Sequence, residues 1–467
     1  MDNITLSDVC VRPDTSLRES MQTIDKSGLG IVFITDADGE LRGTATDGDI
    51  RRGILSGQSL STAVSEVATA DPIAIQADWD DTDLSEKVSI QQIEQKTDEF
   101  GTLTVPVLDG DEVVDITFLD ENASRIDSSA SGMNQTSVDT VLVIGGAGYI
   151  GSVLCEKLLS QGYNVRVLDN LLYEDTGIEQ FFGDDRFTFI EGDMRSIEDL
   201  VDAMNGADAA VHLGALVGDP ASSIDPQETL EVNYHATALA ARIAKYHQIN
   251  RFLFASTCSV YGQADDPETL LTEESPLNPV SLYAKSKIQS ERALTELSDE
   301  NFSPTILRMA TVYGLSPRMR FDLVVNILSA KAQTEGTIPI FGGKQYRPNV
   351  HVADAAQAYI DCIEAPIEDV SGEVFNVGSN EQNYQIEEIG YIISERYPDA
   401  EIDFDREQED ERSYQVDFSK IERVLGYETE HTIGESSEAI GEAIADDRFD
   451  DYTSDRYSNY RTLEDTI

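Results

Sequence analysis

Basic residues are scarce in this chain. Across 467 residues, 33 Lys+Arg stand against 88 Asp+Glu, a formal charge of −55, and only ten of the cations are lysine. That balance excludes nucleic acid as the main partner, because a phosphate backbone needs a basic stripe, and it excludes an anionic membrane surface for the same reason. The acidity runs along the whole chain. Such a surface repels itself unless salt shortens the screening length, to about 3 Å at molar concentration, so a halophilic protein is expected, with a protein that binds basic partners as the alternative. Cysteine is rare as well: Cys10, Cys155, Cys258 and Cys362 lie far apart without CxxC spacing, and the five histidines are scattered. Structural zinc, another metal or a disulfide framework is not expected. No run of about 18 apolar residues occurs, so no bilayer span is expected. Residues 1–20 lack a basic stretch followed by an apolar one, so neither is a secretory signal. The expected location is cytoplasmic.

What is present falls into two parts, as the length requires, since single cores stop growing at roughly 250–300 residues. The stretch RIDSSASGMNQTSV, from Arg125, is polar and without apolar period, and residues 126–138 read as a flexible linker. The front part, 1–125, holds a degenerate repeat. GIVFITDADGELRGTATDGDIRR, from Gly30, and TVPVLDGDEVVDITFLDEN, from Thr104, each read strand, turn, strand, acid, with Asp38-Gly39 and Asp109-Gly110 suited to tight hairpin turns. Each copy carries Thr-x-x-Asp after its second strand, Thr46/Asp49 and Thr117/Asp120. Two readings stand: the pair caps a helix, or the carboxylate accepts two hydrogen bonds from a ligand diol.

With the apolar helix SLRESMQTI (16–24) in front, the repeat resembles a CBS-domain pair, an α+β regulatory module. The resemblance implies an adenine nucleotide such as AMP or ATP between the halves, with Thr46, Asp49, Thr117 and Asp120 at the ligand. Arg51 and Arg52 are placed to hold a phosphate in the first copy. Glu121 and Asn122 replace them in the second.

After the linker, DTVLVI (139–144) is a short apolar strand followed at once by Gly145-Gly-Ala-Gly-Tyr-Ile-Gly151, a helix ending at Gly162, and the strand NVRVLD. Strand, glycine turn, helix, strand is the unit that sets a pyrophosphate on a helix N-terminus. The glycines fit both GxGxxG (146, 148, 151) and GxxGxxG (145, 148, 151). Asp169 ends the second strand 18 residues after Gly151, near the position of the acid that binds the adenosine ribose. A carboxylate there repels a 2′-phosphate, so NAD is favoured over NADP. Three further strands continue the pattern: FTFIEGDMRS, with Asp193 past its end; DAAVHLGAL, with His212 read as core; and RFLFASTCSVYG, ending in hydroxyls. Expected cofactor contacts are Gly145, Gly148, Tyr149, Ile150, Gly151, Asp169, Asn170, Asp193 and Leu213. Tyr283-Ala-Lys-Ser-Lys287 then opens a helix over 282–297, and its i,i+4 spacing puts Tyr283 and Lys287 on one face.

In this order the motifs over 139–467 resemble an extended short-chain dehydrogenase/reductase of the nucleotide-sugar epimerase/dehydratase group. The resemblance implies an α/β fold, a Rossmann-type doubly wound parallel sheet with a smaller C-terminal substrate-binding subdomain, and a homodimer. It implies that Tyr283 takes the proton of a sugar hydroxyl as hydride passes to NAD. Lys287 and the nicotinamide favour the phenolate and Lys287 also touches the cofactor, while Thr257 bonds the same sugar oxygen ahead of Ser256 and Ser259. Cys258-Ser259 stand where 4,6-dehydratases of the group carry Asp-Glu, so elimination lacks its proton donor. Arg347 and Arg412 match diphosphate-binding arginines, with Arg318 and Arg320 as helpers, and Thr311 replaces a common Asn. The implied activity is epimerisation of a nucleotide sugar through a 4-keto intermediate, like a UDP-glucose 4-epimerase, under regulation by the front module. A dehydratase or keto-sugar reductase of the same fold is the alternative, and a non-catalytic nucleotide sensor is the alternative of another class. The tail from Asp446 is assigned no role.

Overall fold

The run Thr140–Ile144 is apolar at successive positions, the pattern of a strand covered from both sides. In the computed structural model of the chain it is an interior strand of a seven-stranded sheet. The structure describes residues 6–27, 29–37, 39–55, 58–70, 72–77, 79, 103–119, 125–126, 138–174, 177–263, 269–299, 301–406, 412–449 and 451–466. Two compact units divide the chain, Met1–Asn134 and Gln135–Ile467.

The sheet of the larger unit contains β1 (Thr140–Ile144), β2 (Asn164–Asp169), β3 (Phe187–Glu191), β4 (Ala209–His212), β5 (Arg251–Thr257), β6 (Ser303–Met309) and β7 (Val374–Val377). Their order is β3-β2-β1-β4-β5-β6-β7 and every neighbouring pair is parallel. The order reverses between β1 and β4, and at such a switch point the strand ends leave a crevice for a dinucleotide. Helices α1 (Tyr149–Ser160), α2 (Ile197–Met204), α3 (Ala236–Tyr246), α4 (Leu282–Leu297), α5 (Val324–Glu335) and α6 (Val352–Glu364) follow in chain order. Strand alternation sorts the two cores. Val141 and Val143 pack with Leu154 of α1 and Tyr359 of α6, while Leu142 and Ile144 pack with Leu200 of α2 and Ala240 of α3. This is the doubly wound α/β architecture expected from the motif order.

After β6 the chain leaves the sheet to build the smaller subdomain. Thr311–Tyr313 runs parallel to Tyr346–His351, which pairs antiparallel with Asn383–Gln385, and Thr337–Phe341 runs parallel to Glu401–Asp405. A core of its own, with Val325 and Leu328 of α5 against Ile338, Ile340 and Ile389, supports this part.

In the front unit both copies of the repeat form antiparallel hairpins, Ile31–Thr35 with Leu41–Thr46 and Leu103–Asp109 with Glu112–Leu119. Their turns meet: Leu41 N donates to Asp111 O at 2.9 Å and Val113 N to Gly39 O at 3.1 Å. Helix Leu17–Ser27 seats Leu17 and Ile24 against Val32 and Ile34. Asp120, the Arg51 side chain and linker residues 127–137 lie outside the described residues. Among the described residues no helix is long and apolar enough to cross a membrane.

Candidate active site

Every strand of the β2-β1-β4-β5-β6 series ends at the same side, and a cavity of about 910 Å³ lies beyond those ends. Its floor is the glycine turn. Gly145 has φ of 83°, and a Cβ there would fall 2.6 Å from Gly214 N; one at Gly151 would fall 2.4 Å from Gly145 O. Only glycine permits that approach of loop to strand. Gly148 caps α1 without a side chain, which leaves the N-terminal N–H groups of the helix for an anion. Of the expected cofactor contacts, Gly145, Gly148, Tyr149, Ile150, Gly151, Asp169, Asn170, Asp193, Leu213 and Lys287 all line the cavity. The cradle therefore fits a dinucleotide.

Two of these residues also hold the cradle. One oxygen of Asp169 accepts from Ala147 N at 3.0 Å and the other from Leu171 N at 2.9 Å. Burial raises its pKa against those bonds. The Tyr149 hydroxyl donates to Gly314 O at 2.6 Å and accepts from Asn326 Nδ2 at 3.1 Å, which ties α1 to the subdomain. Asp193 is paired with Arg195, and hydrogen bonds from that guanidinium hold its carboxyl below the usual range.

Deeper in, Thr257 ends β5 and Tyr283 lies in the first turn of α4, whose start is fixed by Ser281 capping Ala284 N. The Thr257 hydroxyl accepts from Ser259 N at 3.1 Å and is hydrogen-bonded to the Tyr283 phenol. Lys287, one turn on, donates to Ala255 O at 2.7 Å, and its Nζ stands 5.9 Å from the centre of the Tyr283 ring. The expected acidity of the phenol is not a property of this protein alone. Burial lifts the Tyr283 phenol to about 12, and the groups pulling it down are Arg320 and Thr257. Lys287 is instead brought down to about 7 by its own burial, with Glu291 opposing. A buried ammonium that close to neutrality is a weak electrostatic lever.

Arg347 and Arg412 also line the cavity. Arg347 Nη1 donates to Tyr346 O at 2.7 Å and to Arg412 O, and Arg412 pairs with Asp219 across the cavity. Arg320 forms an ion pair with Asp322 at 2.9 Å. Arg318 is 3% exposed, its Nε and Nη2 have no hydrogen-bond partner, and burial beside Arg320 brings it down to about 10. His212 is core, bonded to Thr237 at 3.0 Å and brought down to about 3 by burial. Cys258 is buried with its thiol on Arg308 O, and Ser256 bonds Glu291.

Sequence reading missed several groups. Tyr414 is buried in the cavity wall, hydrogen-bonded to Ser259, with the Arg347 guanidinium 5.5 Å from its ring. Glu291 anchors α4 from below. The tail, assigned no role, contributes Asn459, Tyr460 and Leu463 to the cavity lining. Of these only Glu291 left a signal that could have been read, since it continues the i,i+4 face of Tyr283 and Lys287 by one more turn.

In the front unit the capping geometry is realised. Thr46 N and Oγ1 both donate to Asp49 Oδ2, at 2.9 and 2.7 Å, and Asp49 N donates back at 3.2 Å. Arg52, expected to hold a phosphate, pairs with Asp49 Oδ1 at 2.7 Å. Thr117 lies on its strand opposite Val105.

Comparison with known proteins agrees with this geometry. The CBS domain profile matches residues 3–56. The UDP-glucose 4-epimerase of Bacillus subtilis (strain 168) is 28% identical over 323 residues, 63% of this chain and 94% of that protein. The low-salt glycan biosynthesis protein Agl12 of Haloferax volcanii is 29% identical over 64% of this chain and 96% of its own length. The crystal structure of UDP-glucuronic acid 4-epimerase from Bacillus cereus, in complex with UDP-glucuronic acid and NAD, superposes with a TM-score of 0.59 at 26% identity, covering 66% of this chain and 99% of that one. The profile of the NAD dependent epimerase/dehydratase family matches residues 141–378, half of the chain, and the protein belongs to that family, with NAD as its cofactor.

Proposed function

We propose that the protein interconverts the C4 epimers of a nucleotide sugar, in the manner of a UDP-glucose 4-epimerase. The observation that carries this reading is the state of the acids around the cavity. Asp169 is spent on the glycine loop, Asp193 and Glu228 on Arg195, Asp219 on Arg412, and Asp322 on Arg320. Cys258 and Ser259 follow Thr257, so the described lining offers no free carboxylic acid to expel a sugar hydroxyl. Proton removal from an alcohol needs only a base that can take the proton and return it.

NAD supplies the reversible hydride acceptor. The Tyr283 phenolate oxygen takes the proton of the sugar 4-OH and later gives it back, with Thr257 bonded to the same oxygen. A phenol at about 12 holds its own proton at neutral pH, so positive charge beside it, added to Arg320 and Thr257, has to favour the phenolate. Arg347 and Arg412 hold the diphosphate by charge-assisted bonds. The test is incubation of the purified protein with UDP-glucose or UDP-galactose and no added reductant. Interconversion is expected; a dehydrated 4-keto sugar, or turnover of a keto sugar only when NADH is added in a parallel assay, would assign the alternative.

The front unit reads as an adenine-nucleotide module acting on that activity. Support comes from the CBS match and from the place of Thr46 and Asp49 just after the first hairpin, where a ribose diol would compete with Arg52 and the Thr46 cap for the Asp49 oxygens. Titrating the full chain with AMP, ATP and S-adenosylmethionine while following turnover tests it; binding without a change of rate would leave the unit uncoupled.

A further inference from the structure

The last described segment ends in helix α7 (Asn459–Thr466). Leu463 is 3% exposed and packs on Leu216 and Ala221, with Leu172 beside them. Leu172 belongs to the loop after β2, and Leu216 and Ala221 to the segment after β4. Asn459 N donates to Asp322 Oδ2 at 3.0 Å, and Phe321 N donates to Tyr457 O at 2.9 Å, so the backbone of the tail is stitched to the segment carrying Arg318 and Arg320.

The Asn459 side chain is not needed for that stitching. It is 5% exposed, belongs to a residue lining the cavity, and its Oδ1 has no hydrogen-bond partner. Two neighbours share the condition: the Tyr173 hydroxyl is buried without a partner, and Arg318 lies with its guanidinium 4.4 Å above the Tyr173 ring. Buried polar atoms without partners cost free energy, and three on separate segments around one cavity call for a ligand that satisfies them together. The set offers cationic donors beside a neutral acceptor, which matches anionic oxygens next to a hydroxyl, as in a ribosyl diphosphate. Arg318 starts beside the glycine loop, since a Cβ on Gly177 would fall 2.3 Å from Ala147 O and 3.2 Å from Arg318 Cβ. That position selects the dinucleotide rather than the sugar nucleotide.

We infer that α7 is a strap over the bound dinucleotide, with Asn459 Oδ1 accepting a hydrogen bond from a ribose hydroxyl next to the diphosphate. The strap fits the proposed reaction, on which this inference rests, because an epimerase that reuses its NAD gains nothing by releasing it. The sequence alone showed no such role because the tail reaches the cavity only through folding.

The experiment uses the full chain, stripped of nucleotide, as wild type, Asn459→Ala and Asn459→Asp, with NAD and UDP titrated separately by calorimetry and folding checked by thermal melting. Asn459→Ala is expected to raise the NAD dissociation constant about fivefold to tenfold, the size of one neutral hydrogen bond. Asn459→Asp is expected to raise it further, because a carboxylate there repels the diphosphate, and UDP binding is expected to stay unchanged in both. Unchanged NAD affinity in both variants, or a loss confined to UDP, overturns the inference and leaves the proposed function standing. A wild-type chain that binds neither ligand overturns both.

Discussion

Glu291 and Arg308 meet in a 2.8 Å ion pair with side chains 7% and 6% exposed, one on α4 and the other on β6. Glu291 also accepts the Ser256 hydroxyl, and Arg308 donates to the Tyr261 hydroxyl and to Glu273 O, both at 3.1 Å. The helix that carries Tyr283 and Lys287 is thereby pinned to two strands at once. Removing one partner of a buried pair leaves an uncompensated charge, so Glu291→Ala is expected to cost about 3–5 kcal/mol. Urea unfolding measures it. The double replacement Glu291→Leu with Arg308→Met should lose less than Glu291→Ala alone.

Tyr283→Phe keeps the ring, its burial and the helix, and deletes only the phenolic oxygen to which the proposed function assigns the proton. Turnover is expected to fall by about 10²–10⁴, while NAD affinity stays within a few-fold of wild type. Retained turnover in that variant would remove Tyr283 from the chemistry.

Lys287 ties the proposed chemistry to stability. Its ammonium is brought down to about 7 from an ordinary 10.5, so between those values the unfolded chain binds the extra proton and folding stability rises with pH. Lys287→Met removes that slope. Melting curves across pH 6–10 should show a variant at least as stable as wild type at the acidic end, and inactive throughout.

On the acid side the buried imidazoles act. Burial brings both His212 and His351 down to about 3 from 6.5. The unfolded chain therefore binds more protons between pH 6.5 and pH 3, and stability falls as the pH drops through that window. His212→Gln, with the Thr237 bond within reach, should flatten part of the slope in pH-dependent unfolding.

Salt is the remaining lever. With a formal charge of −55, screening should set the folded fraction. Dialysis from molar potassium chloride into dilute buffer is expected to lower the melting temperature by tens of degrees. An unchanged melting temperature would detach the acidity from salt tolerance.

The sequence made some of this legible because local chemistry is written locally. The glycine turn, Asp169 at a strand end and the Tyr283–Lys287 spacing each need only a short segment, and each stands at the cavity. The Arg347–Arg412 neighbourhood was legible through motif position alone. Tyr414, the Glu291–Arg308 pair and Asn459 were not, since partners distant in the chain meet only by packing. The same reason hides the setting of Tyr283: nearness to Lys287 can be read from spacing, but the burial that lifts the phenol cannot.

Asp169 does two jobs with one carboxylate: the acid that would select the cofactor also pegs Ala147 and Leu171. Cofactor choice in this protein is therefore not a modular trait. Exchanging the acid to admit a phosphorylated ribose would unpeg the loop that seats either dinucleotide, so a switch of preference has to begin with a replacement anchor for the Ala147 amide.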